Sequence, residues 1–291
     1  MYLNINYFKK HSAKQVDYSF LTKSPSFMGN VYPLLRDFEG NENLYSVSIS
    51  HGRSFVVNQD EQTGLYTILK GCGLSYTRHP FINTKEYGEN TWGLLLQEDG
   101  IRDFNNGCLV ANLGIKTNRM QCVIKLEEEI VLNTNPPVKI NPSLLQYEVE
   151  CPLRIEDASF YPKDIIRREA EKWRATYKDY SSPLHCIAAK VLVKNLRILH
   201  HNNILHNAIS PHNYTWALEL VDFEMTHSKQ FPYDKTMSEK EIQSLYPREI
   251  MYTYQIIQNI AQVLNEKSDE KQIEDIFIQN NFDLSKYSIN V

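Results

Sequence analysis

The chain has 291 residues, 42% of them hydrophobic and 23% charged, with a formal net charge of −4 at neutral pH. That length suits one unit of two linked lobes better than a single small core. The mildly acidic balance gives no electrostatic support for nucleic-acid binding, and no stretch approaches the ~20 consecutive apolar residues of a membrane span.

The segment Met1 to Lys10 alternates polar and apolar residues and lacks the apolar core of a signal peptide. Five cysteines, an odd number with no CxxC pair, read as reduced thiols and offer no zinc site. A cytoplasmic protein with neither a nucleic-acid nor a membrane partner is expected. The run Leu44–Val57 then alternates like a strand, "NQDEQTG" reads as a turn, and Leu65–Gly71 forms a second strand-like run that includes Lys70. Two such runs around a polar turn predict an antiparallel hairpin. A polar loop from Leu74 to about Asn90 carries Arg78. Short helices are expected around Ile101–Phe104 and Cys108–Leu113, and a strand pair over Arg119–Leu132, whose "EEE" run at Glu127–Glu129 reads as solvated.

The character changes near residues 135–150, where Pro136 and Pro137 sit. Tyr161–Tyr177 is charged and helical. In the next segment Ser182 reads as a cap and Pro183 as first-turn, and Leu184, Ile187, Val191, Leu196 and Leu199 recur at helical spacing, predicting a buried helix. A loop to Asn213 follows, then "TWALELVDFE" as a strand, and two helices from about Met237. The expected fold class is α+β, with a β-rich lobe over residues 1–140 and a helical lobe over residues 141–291.

The chemistry concentrates after the buried helix. Asn213 lies seven residues after His206, and Asp222 lies nine residues after Asn213, at the end of an apolar run. Kinase-like folds space a loop His, an Asn and a metal-binding Asp in this way. The physical need is a hard divalent ion that neutralises ATP phosphates and takes oxygen ligands from Asn and Asp. The usual kinase Asp, two residues after the His, is Ala208 here. That departure argues against an ordinary protein kinase.

Several motifs in order resemble the selenoprotein O family of protein adenylyltransferases. "LKGCGLSYTR" (Leu69 to Arg78) is similar to its LKG-x-G-x-x-x-YSR stretch with one residue fewer, and "HGRS" (His51 to Ser54) is similar to its DGRA. "GIRDFNNGCLVANLGIKTNRM" resembles its I-R-E-F helix and ALGIPTTRA segment, and His206–Asn213 resembles its HG-x-x-N-T-D-N loop. The likeness runs from about residue 45 to 225, over half the chain, and the family is considerably longer.

The resemblance implies a bilobal protein-kinase-like fold that binds ATP with magnesium or manganese. In that family the nucleotide is flipped relative to protein kinases, and AMP is transferred to a hydroxyl. Residue by residue, it implies that Lys70, Arg78 and Arg154 contact the nucleotide, that Asp103 pairs with Lys70, and that Asn213 and Asp222 hold the metal. Four departures stand out. The family's loop Asp, proposed as the base, is His212, whose neutral imidazole can still accept a proton. The ion-pair Glu is Asp103, the second phosphate arginine falls on Tyr161, and the loop Gly is Asn207.

Three readings stay open at this stage. They are adenylyl transfer to a protein or small molecule, phosphotransfer to a small molecule, and nucleotide binding by a pseudokinase without catalysis. The residues also have plainer readings. Lys70 is a solvated strand-end lysine, Asp103 an exposed helix carboxylate, Asp222 a turn cap, Arg154 a surface arginine and His212 an inert loop residue. His200, His201 and His206 suit a helix C-terminus, where imidazolium is favoured. Glu224 is a candidate helper for the metal or acceptor.

Overall fold

Strand-forming alternation in the first half of the chain builds a seven-stranded sheet and a two-stranded one in the computed structural model, which describes residues 2–4, 45–46, 54–71, 95–125, 130–132, 138–234 and 236–287. The chain divides into two compact units, Met1–Phe104 with Arg119–Pro152, and Asn105–Asn118 with Leu153–Val291. The architecture is mixed α+β, with a largely antiparallel sheet and helices.

The described elements of the first unit, in chain order, begin with strands β1 (Tyr2–Asn4), β2 (Tyr45–Ser46), β3 (Ser54–Gln59), β4 (Tyr66–Lys70) and β5 (Leu95–Leu96). Helix α1 (Gln97–Asn112) follows, then β6 (Arg119–Lys125), β7 (Ile130–Leu132), β8 (Val138–Ile140) and β9 (Pro142–Val149). The sheet order is β1-β6-β9-β4-β3-β2, with β5 also on β9. Only β1 and β6 run parallel within it. The hairpin expected around Asp60 is β3–β4. Its turn is closed by the Asp60 carboxylate, which accepts from the Gln62 and Thr63 amides, and by Gly64 at φ +71. β9 is central, and Leu144, Leu145, Tyr147 and Val149 are buried on it, the near-continuous burial of a strand paired on both edges.

Two expectations fail in this unit. The segment expected to hold two short helices is the single helix α1, which runs unbroken through residues 105–107, and Gly100 lets its start lie close to β9. A Cβ there would sit 2.6 Å from Ser143 Oγ. β6 and β7 do not pair with each other. β6 joins β9 and β1, and β7 pairs with β8. Strand pairing is a long-range choice that local alternation does not encode. The loop carrying Arg78 and the Glu127–Glu129 run lie outside the described residues.

The second unit takes up the later part of α1 and adds α2 (Lys163–Tyr177), α3 (Leu184–His201), α4 (Glu239–Val263) and α5 (Glu270–Gln279). Trp173 on α2 stacks on Trp216 with ring centroids 5.8 Å apart, and its indole N–H donates to the Trp216 carbonyl at 2.7 Å. α3 buries His185, Cys186, Ile187, Leu192, Val193, Leu196 and Leu199, among others, as its helical spacing predicts. Ser182 does not cap it. The Glu266 carboxylate does so instead, accepting from the Leu184 and His185 amides at 3.1 and 2.9 Å. α4 opens on a capping box made by Ser238 and Glu241. The "TWALELVDFE" run is not a strand. It is a tight buried turn with isolated pairing of Tyr214 to Leu220 and Leu218 at φ +56. Its apolar residues are buried by packing, not by a ladder. Among the described residues no helix is long and apolar enough to cross a membrane.

Candidate functional site

The candidate residues fall in both units, and each set is held in place differently. In the first unit Lys70 is the last residue of β4, held in register opposite Leu145 on β9 and Ser54 on β3. The chain leaves it through Gly71 at φ +92, where a Cβ would lie 2.6 Å from the Leu95 Cβ and 2.8 Å from the Ser143 carbonyl. Only glycine fits that turn. Lys70 Nζ donates to Asp103 Oδ2 on α1 at 2.6 Å, and both side chains are buried. Burial removes the solvated-lysine and exposed-carboxylate readings. Each charge needs a counter-ion in a low-dielectric setting, and the shorter Asp side chain reaches without loss of contact.

In the second unit the loop after α3 is fixed from several directions. His206 is fully buried, away from the helix C-terminus where His200 and His201 sit. Its Nε2 lies 3.1 Å from the Val221 carbonyl, and its ring meets Phe223 edge-on at 5.2 Å. Leu205 and His227 exchange backbone hydrogen bonds. Asn207 takes φ +61, a conformation that Asn tolerates better than most side chains.

Asn213 ends a short 3-10 turn, Pro211–Asn213, and its carbonyl accepts from the Val221 amide at 3.0 Å. Asp222 is the next residue after Val221 and holds φ +70. The Asn213 amide Nδ2 donates to the Ala208 carbonyl at 2.8 Å, which fixes the flip of the carboxamide. Its Oδ1 is buried with no hydrogen-bond partner. A buried, orphaned amide oxygen costs free energy unless something electropositive meets it. Oxygen donors such as that atom and the Asp222 carboxylate are of the kind a hard divalent cation takes. Asp222 and Glu224 bring one carboxylate oxygen each within 4.8 Å of the other.

Arg154 is buried rather than a surface residue. It sits opposite Thr215 in a two-residue antiparallel bridge flanked by Ile155–Tyr214 and Trp216–Leu153 hydrogen bonds. Thr215 Oγ1 donates to the buried Glu219 carboxylate at 2.9 Å. His212 Nδ1 lies 3.0 Å from Glu156 Oε2, at ion-pair distance but without good hydrogen-bond alignment. Glu156 is the more exposed partner, so water screens the contact.

The structure thus brings Lys70 to Asp103. It places Asn213 and Asp222 at the two ends of one turn, Arg154 beside that turn and His212 next to Asn213. Arg78 lies outside the described residues. Three residues were missed by the sequence reading. Glu156 lies at ion-pair distance from His212, and Arg248 and Glu249 on α4 bind the loop at Asn207. "PRE" inside a helical run carries no sequence signal for such a role. No protein-family model and no curated protein matches the chain.

Proposed function

We propose that this chain is a bilobal, kinase-like nucleotidyltransferase that uses ATP and magnesium or manganese to transfer AMP to a hydroxyl of a protein or small molecule. The observation that carries the proposal is the buried Asn213 carboxamide oxygen, oriented by Ala208 and lacking a hydrogen-bond partner, at the start of the turn that ends in Asp222. The Lys70–Asp103 pair supports it from the other unit, since a lysine held by a carboxylate is a fixed positive charge for phosphate. The ordered motifs that resemble the selenoprotein O family favour adenylyl over phosphoryl transfer.

When bound, the divalent ion would supply charge neutralisation on the phosphates, held by Asn213 Oδ1 and the Asp222 carboxylate. Lys70 would neutralise further phosphate charge, and Asp103 keeps its ammonium from wandering among rotamers. Arg154, buried beside the turn, would contribute a second cation. In the transfer the acceptor oxygen forms a bond to the α-phosphorus, the bond from that phosphorus to the bridging oxygen breaks, and pyrophosphate leaves. His212 would take the acceptor proton on Nε2, with Glu156 holding Nδ1.

Label transfer tests this directly. Incubation with manganese and α-labelled ATP should mark an acceptor, while γ-labelled ATP should not. Transfer of the γ-label alone would replace the proposal with phosphotransfer. Transfer of neither, with ATP still raising the melting temperature, would replace it with nucleotide binding by a pseudokinase.

A further inference from the structure

Three features meet at the 206–213 loop: a non-glycine residue at positive φ within it, and, from α4, a buried carboxylate against its backbone and an arginine that pairs with no acid among the described residues. Asn207 is common to all three. Its amide donates to Glu249 Oε1 at 2.6 Å. Arg248 Nη2 donates both to its carbonyl, at 2.9 Å, and to its side-chain Oδ1, at 2.8 Å. Three polar atoms of Asn207, its amide nitrogen, its carbonyl oxygen and its side-chain Oδ1, are thereby engaged by two adjacent residues of that helix.

The economy of those two residues is informative. Glu249 is buried, and its second oxygen lies 2.9 Å from His200 Nε2, so both oxygens have partners. Arg248 makes no ion pair among the described residues, its Nε is buried without a partner, and Tyr252 lies 5.9 Å from the guanidinium carbon. Arg248 is half-buried, and a guanidinium whose Nε is shut off from water ordinarily meets a carboxylate. Here its hydrogen bonds go to one loop residue.

We infer that Arg248 and Glu249 are positioning residues that clamp Asn207 in its left-handed conformation and so aim the Asn213 carboxamide. The transmission is short. Asn207 sets the direction of the peptide that joins it to Ala208, and the Ala208 carbonyl, one peptide further on, is the acceptor that fixes the Asn213 flip. Asn207 therefore does by side-chain tethering what a glycine would do by conformational freedom alone. The clamp itself is independent of the proposed function. Its consequence for metal binding rests on that reading.

The test uses the full chain and three variants: Arg248→Ala, Arg248→Lys and Asn207→Gly. The last keeps the left-handed backbone accessible while deleting Oδ1 and leaves α4 untouched. Amide hydrogen exchange should quicken about tenfold across residues 206–213 in Arg248→Ala, with α3 and α5 unchanged. Manganese–ATP affinity should fall about 10–100-fold in the same variant. Arg248→Lys, whose ammonium can still reach both oxygens, should recover part of each effect. Asn207→Gly should reduce the further cost of Arg248→Ala, because one of the two contacts is already gone.

Loop exchange unchanged in Arg248→Ala, or quickened equally in α3 and α5, would overturn the clamp. If the wild-type chain binds no manganese–ATP while local exchange still responds, the clamp stands and the nucleotide reading falls.

Discussion

Removing either charge of the Lys70–Asp103 pair should be among the most damaging single changes in the sheet-bearing unit. The pair is 2.6 Å long, and its side chains are 4% and 1% exposed, so water cannot take over from a missing partner. Breaking a buried pair from one side costs roughly 3–5 kcal/mol, whereas an exposed pair contributes about 0–1 kcal/mol. At roughly 2–4 °C per kcal/mol in a domain of about 150–250 residues, Lys70→Met or Asp103→Leu should lower the melting temperature by roughly 6–20 °C. The double variant Lys70→Met/Asp103→Leu removes both charges and should cost less than the sum of the singles by about 1–3 kcal/mol. Calorimetry or denaturant titration of the four proteins reads this. Single substitutions costing under about 1 kcal/mol, or strict additivity, would show that the pair is not a buried, mutually dependent unit.

Other expectations follow from the helical unit. Burial alone would raise the Glu266 carboxyl, but hydrogen bonds from the His185 amide, the His185 ring and the Leu184 amide outweigh it and hold the group below the ordinary range. A carboxyl depressed in the folded state stabilises above its unfolded pKa and loses that contribution as pH falls through the folded value. The melting temperature of the wild-type chain should therefore drop more than that of Glu266→Gln on acidification from pH 6 to about pH 3.5, a range spanning the ordinary Glu value. Equal slopes would count against the cap. Burial, reinforced by the Asp269 and Glu266 carboxylates, pushes the Cys186 thiol up to about 11. Native Cys186 should resist iodoacetamide at pH 8 and react at once after unfolding, as mass spectrometry of the peptide would report. Trp173→Ala should cost about 3–5 kcal/mol in denaturant titration, because the indole is buried, stacked on Trp216 and hydrogen-bonded.

Local pattern made much of this fold readable. Alternation marked β3 and β4, and the polar run between them marked their turn. The recurrence of Leu184, Ile187, Leu196 and Leu199 marked α3. Pairing at a distance was not readable. Nothing in Arg119–Lys125 says that it joins both Tyr2–Asn4 and Pro142–Val149. Nothing in the sequence around Gly100 says that it is the residue that lets α1 lie against Ser143. "TWALELVDFE" has a strand's composition, but Leu218 at positive φ folds it back. In the candidate site, spacing within one segment singled out Asn213 and Asp222. The polar contact that holds the loop before Asn213 comes from far away, Glu249 from 42 positions beyond Asn207, as does the cap of α3, Glu266 from 81 beyond His185. Those residues look like ordinary helix and loop carboxylates until the chain has folded.

If Asn213 and Asp222 hold a divalent ion, ATP binding to the chain should depend on it. Calorimetric titration of ATP, with and without manganese, tests it in the wild-type protein, Asp222→Ala and Lys194→Ala, the last an exposed residue of α3. Binding that requires manganese, is lost in Asp222→Ala and is retained in Lys194→Ala is the predicted result. ATP binding that is indifferent to manganese, or that survives Asp222→Ala unchanged, would contradict the account.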